Sequence, residues 1–222
     1  MDTKNKIDNK VLIPTIISVL FLVVLIISAS YAYFAVTEGD SSSSAKLQGS
    51  VEDIGSVSFE KTNNVLTMNL DNMQMIQLNK DVTYYASNTG ITTEPTSEVL
   101  GFLKATGNGN FSCNYELEIK ATSTTADTNL YTKFQGMTGK STDQIVLTIT
   151  SSSGTKTYDF NTPNLFPITH SGSVSNLSEG TVENISAQLK FVNKTGVVQD
   201  ALQNGNITFT ISVKTFKCDI VG

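Results

Sequence analysis

ITFTISVKTFKC, Ile207 to Cys218, carries a conflict whose resolution decides the fold. Ile207, Phe209, Ile211 and Val213 alternate with Thr208, Thr210, Ser212 and Lys214, the period-two pattern of a strand with one apolar and one wet face. Cys218 then falls on the wrong parity. The other cysteine, Cys113, opens CNYELEIK, where Tyr115, Leu117 and Ile119 share its face while Asn114, Glu116, Glu118 and Lys120 take the other. If the chain is exported, its two cysteines favour one disulfide closing a long loop, and two separate buried thiols are the alternative. Joining them requires a bulge or a strand end near Thr215, because a one-residue slip moves every later side chain to the opposite face.

The same alternation returns at Ile185, Ala187, Leu189 and Phe191. Shorter strand candidates are Val57–Phe59, Leu66–Leu70, Met75–Leu78, Val82–Tyr85, Leu100–Ala105, Ile145–Ile149 and Thr157–Phe160. Asn108 with Gly109, and Ser153 with Gly154, tolerate positive φ in tight connections, so 100–120 and 144–160 read as hairpins. Val198–Gln203, ended by Asn204 and Gly205, reads as a helical turn. Strands separated by Gly, Ser, Asn and Thr clusters, with almost no helical periodicity past residue 36, predict an all-β fold. The expected architecture is an antiparallel β-sandwich of jelly-roll or Ig-like type over residues 56–222, preceded by one N-terminal hydrophobic helix.

That helix is the uncharged run 11–36, which at ~1.5 Å per residue gives about 39 Å, enough to cross a hydrocarbon core. Residues 1–10 hold Lys4, Lys6 and Lys10 against Asp2 and Asp8, while Glu38 and Asp40 follow the run, so residues 1–10 are expected in the cytoplasm and the rest exported. Ser30 and Ala32 put small residues where a signal peptidase reads them, with the scissile bond before Tyr33. Length argues the other way, since an ordinary signal core runs ~7 to 15 residues. The run is thus either a cleaved leader or a permanent transmembrane anchor. Residues 37–55 begin with TEGDSSSSA and suit a flexible linker or a donor arm.

Composition narrows the chemistry. The chain has a net charge of −5, so nucleic acid is not an expected partner. Every basic residue is lysine and tryptophan is absent, so self-association would rest on backbone pairing or on Tyr and Phe. A chain of this size buries roughly 70% of its unfolded surface, enough for one self-sufficient domain. A zinc protease HExxH needs two histidines, and His170 stands by itself in the turn-like PITHSG, read as a surface loop. No G-x-S-x-G surrounds any serine. Glu116 and Glu118 read as a solvated strand face, and Asp71 with Asn72 as a turn in place of a calcium loop. No catalytic, cofactor or metal site is expected. The N-x-S/T triplets at Asn110, Asn176, Asn184, Asn193 and Asn206 are what an Asn-, Ser- and Thr-rich chain yields by chance.

With the aromatic junction SYAYF at Ser30–Phe34 ending a long apolar segment, the chain resembles the exported TasA and camelysin family of bacterial matrix-fibre proteins, whose precursors are cut by a SipW-type signal peptidase. It is also similar to a broader set of Firmicute and Mollicute exported proteins with the same leader and a Cys-x-Tyr segment, here CNYELEI, paired with a Cys after the last strand, here ISVKTFKC. The resemblance implies a jelly-roll subunit that polymerises by donating its N-terminal segment as a strand to the next copy. The expected function is a secreted structural subunit of an extracellular fibre, biofilm matrix or cell-surface layer, with Phe34, Val36, Val57 and Phe59 as donor-arm residues filling a neighbour's pockets. The alternative is an uncleaved, membrane-anchored binding module, an adhesin or sensor ectodomain whose loops, such as Asn161–Ser178, carry recognition.

Overall fold

The computed structural model describes residues 55–71, 74 and 79–221, together with the backbone of Ser42–Leu47. The regions 1–10 and 11–36, the cleavage residues Ser30, Ala32 and Tyr33, the arm residues Phe34 and Val36, and the strand expected at Met75–Leu78 lie outside the described residues.

Among the described residues the strands are β1 (Ser42–Leu47), β2 (Gly55–Lys61), β3 (Leu66–Asn69), β4 (Val82–Ser87), β5 (Gly90–Thr92), β6 (Glu98–Thr106), β7 (Asn110–Thr122), β8 (Ile145–Ser151), β9 (Gly154–Asp159), β10 (Ile168–Leu177), β11 (Val182–Asn193) and β12 (Asn206–Val221), with one short helix, α1 (Leu130–Gly136). Each ladder between them is antiparallel, and the fold is an all-β sandwich. One half runs β9–β8–β11–β6–β2–β1 and the other β10–β7–β12–β3. β4 joins them at one end, pairing with the last residues of β11 and, through Ser87 opposite Thr67, with β3. Between the halves sit the inward rows Cys113, Tyr115, Leu117, Ile119 of β7 and Ile185, Ala187, Leu189, Phe191 of β11, all buried.

The parity conflict in the last strand resolves within one residue. Val213 pairs with Leu117 but Thr215 pairs with Glu116, so Lys214 is an extra residue bulged out of the ladder. Before it Ile207, Phe209 and Ile211 are buried; after it Phe216 and Cys218 are. The bulge brings Cys218 opposite Cys113, and the two form a disulfide with Cα atoms 4.0 Å apart.

Of the two expected hairpins, one forms and one does not. The span 144–160 is the hairpin β8–β9, turning through Ser152 and Ser153 with Gly154 at φ 112°. The span 100–120 is not a hairpin: both edges of β6 are taken, by β2 and β11, so residues 107–109 carry the chain across to the other half, where β7 begins. α1 was not signalled, since seven residues give less than two full periods; Asn129 caps it by accepting from Thr132 N–H at 3.0 Å, and Leu130 and Phe134 anchor it in the core. The turn expected at Val198–Gln203 contains the 3-10 helix Asp200–Leu202.

Candidate functional site

Wherever a strand has no ladder partner its peptide groups are open to another chain, so the edges are the surfaces on which an assembly protein would act. β9 and β10 are the outer strands at one side of the two halves. Ser173 N–H donates to Ser153 Oγ at 2.5 Å, Ser153 Oγ–H donates to Ser173 O at 2.6 Å, and Lys156 Nζ donates to Ser171 O at 2.9 Å. Ser171 and Ser173 have the same parity, so these are the peptide groups that β10 turns away from β7. Side chains of β9 and its turn therefore cap the edge of β10.

His170 lies inside this seam. It is 1% exposed on β10, in place of the surface loop expected from PITHSG. Gly172 made that stretch look turn-like, but the glycine serves close packing: a Cβ there would sit 2.3 Å from Cζ of Tyr115. The Tyr158 hydroxyl lies 2.9 Å from His170 Nδ1. With Tyr158 donating, the ring proton sits on Nε2, which is buried and meets no acceptor among the described residues. Burial, aided by the Lys156 ammonium, pushes the imidazole pKa down to about 4, and burial raises that of Tyr158.

Next to the seam, Glu183 points inward and accepts from Ser152 N–H at 2.6 Å. The Tyr115 hydroxyl is buried close to the hydroxyls of Ser151 and Ser153 yet forms no hydrogen bond of ordinary geometry, and its desolvation raises its pKa. Farther away, a chain of amides crosses the core: Gln144 Nε2 donates to Gln199 Oε1, Gln199 Nε2 to Asn193 Oδ1, and Asn193 Nδ2 to the Gln74 carbonyl, each at 2.8 Å. These groups hold loops together. Asn193, one of the five N-x-S/T asparagines, is thereby buried. Glu116 and Glu118 are half-buried on the outer face, where Glu118 pairs with Lys120 at 2.7 Å. Among the described residues no group of three or more His, Cys, Asp or Glu is arranged to hold a metal ion.

The opposite side of the sandwich is different. β1 pairs through one edge with β2, Ser42 facing Glu60 and Leu47 facing Gly55, and its Cα atoms also come within 8 Å of β12. From Thr210 to Val221, β12 has its ladder with β7 and, among the described residues, none on the side where β3 pairs with Asn206–Phe209. Val57 and Phe59, expected on a donor arm, belong to β2, buried at 1% and 2% in this chain's own core and flanked by β6. Part of the expected linker 37–55 is the strand β1, since main-chain pairing makes no demand on the serine side chains. Of the recognition loop expected at Asn161–Ser178, residues from Ile168 to Leu177 are β10.

No family model, curated protein or solved structure matches the chain. Among the described residues no helix is long and apolar enough to cross a membrane.

Proposed function

We propose that the chain is a secreted structural subunit of an extracellular fibre, biofilm matrix or cell-surface layer, and that copies join by exchanging an N-terminal strand. The observation that supports this reading is the position of β1. Among the described residues it is held by a single ladder, to β2, it precedes residues 48–54, and its Cα atoms come within 8 Å of β12 without pairing to it. Such a strand can leave its own β2 and occupy the same place on a neighbour, keeping every main-chain hydrogen bond. Because Val57 and Phe59 are part of β2, the exchanged segment is what precedes residue 55, with Phe34 and Val36 within it. Head-to-tail exchange does not close, so it yields filaments. Cleavage before Tyr33 would free that segment.

Ser44 and Ser58 face each other in the β1–β2 register, so a Ser44→Cys, Ser58→Cys pair should lock β1 in place. The expected result is soluble wild-type polymer whose N-terminus maps near Tyr33 by mass spectrometry, with the locked variant staying monomeric. Equal polymerisation of the locked variant would overturn strand exchange. Full-length protein confined to the membrane fraction would replace this reading with the tethered adhesin or sensor ectodomain.

A further inference from the structure

The chain contains two Asn-Gly pairs, Asn108–Gly109 and Asn204–Gly205, and the fold treats them in opposite ways. Asn108 is exposed in the three-residue arch that carries the chain from β6 to β7. The base of this arch is fixed: Ser56 Oγ and Thr106 Oγ1 are 3.0 Å apart, and a Cβ on Gly55 would meet Thr106 O at 1.8 Å. At its tip, Gly109 N–H donates to no group among the described residues. Asn204, in contrast, is locked at φ 59°, with Gly205 N–H donating to Leu202 O at 2.9 Å and Gly205 O accepting from Leu70 N–H at 2.8 Å. Gly205 is buried, and a Cβ there would sit 2.9 Å from Leu130 Cδ1.

We infer that Asn108 is a site of spontaneous modification, converting to aspartate and isoaspartate, whereas Asn204 is protected by the fold. The Gly109 peptide nitrogen, having lost its proton to water or hydroxide, attacks Cγ of Asn108. A new N–Cγ bond forms, the Cγ–Nδ2 bond breaks, and the nitrogen leaves as ammonia after taking up a proton. Water then adds to either carbonyl of the resulting five-membered imide and breaks one of its C–N bonds. The product is aspartate or, with one extra carbon in the main chain, isoaspartate. Glycine at 109 permits the attack because no side chain obstructs the approach. At Asn204 the attacking nitrogen is tied to Leu202 O and the backbone is held by the bond from Leu70 N–H to Gly205 O, so the reaction there waits on local unfolding. Each conversion at Asn108 adds one negative charge to an already acidic chain, on the arch between the two halves.

The test uses the purified full chain, held in mildly alkaline buffer and sampled over days by peptide mapping, with isoaspartate detected by enzymatic methyl labelling. The Asn108 peptide should gain the mass of an amide-to-acid change at least about tenfold faster than the Asn204 peptide. In denaturant the two rates should converge, and Asn108→Gln should remove the fast conversion. An unchanged Asn108 peptide in the folded protein would overturn the assignment. So would equal rates in the folded protein, or an Asn204 that stays inert in denaturant.

Discussion

His170 shows what burial does to one side chain at the seam. Its pKa is about 4 in the folded protein against about 6.5 in the unfolded chain, so the unfolded chain takes up its proton first as pH falls. The stability that the neutral ring contributes is fully present above pH ~6.5, declines below it, and is gone by pH ~4, a loss of roughly 3 kcal/mol. Other carboxylates titrate at the acid end of this window, so the comparison is with His170→Gln: the difference between the two unfolding free energies, followed by denaturant titration at each pH, should carry the histidine's share. A constant difference would mean that the ring is solvated. Two residues along the same strand, Gly172→Ala places a methyl against the buried Tyr115 ring. Overpacking of this kind should cost about 1–3 kcal/mol in the same titration, and Tyr115→Leu in the same chain should recover part of it.

Lys214 is the smallest change that tests how the last strand works as an element. Deleting it should remove the bulge and leave a regular ladder, with Thr215 still opposite Glu116 and Cys218 still opposite Cys113, because Val213 and Cys218 are then an even number of positions apart and share one face. Thiol titration of the unfolded deletion variant should then find no free cysteine, as in the parent, and two free thiols would mean that the bulge itself is needed to bring the cysteines together. Replacing both cysteines with serine separates the covalent effect from the register effect: releasing a loop with a separation of 105 residues should cost roughly 4 to 5 kcal/mol of stability by chain entropy. This element was legible in the sequence because period-two alternation is local, and the phase jump between Val213 and Cys218 required a bulge. The arch at 107–109 was not legible, since Asn-Gly chemistry indicates a tight connection without saying which edge is free. β10 escaped notice for a related reason: Pro167 and Gly172 made PITHSG look turn-like, while Gly172 makes room for Tyr115, and Asn176, at φ 59°, accommodates the register shift between Val174 and Leu177.

At the scale of the whole molecule, the two sides of the sandwich differ, among the described residues, in whether side chains cover the main chain. Most of the strands were legible from their pattern, yet this asymmetry was not. It depends on Ser153, Lys156 and Tyr158 of one half meeting Ser171, Ser173 and His170 of the other, contacts that no local period encodes. A protein that assembles through one edge needs its other edge silent, or growth loses direction and becomes aggregation. Ser153→Ala with Lys156→Ala removes the caps on Ser171 O and Ser173 N and leaves Ser173 O only its 3.4 Å contact from Ser152 Oγ, while leaving the β8–β9 hairpin ladder intact. Both residues are exposed, so the double variant should keep nearly all of its unfolding free energy. Its light scattering on storage at high concentration should nevertheless rise well above that of the parent, and the excess should persist when β1 is locked by the Ser44→Cys, Ser58→Cys pair. If the scattering matches the parent's, the serine and lysine contacts do not guard that edge. If locking β1 abolishes the excess, the new association runs through the β1 side and the two edges are not independent.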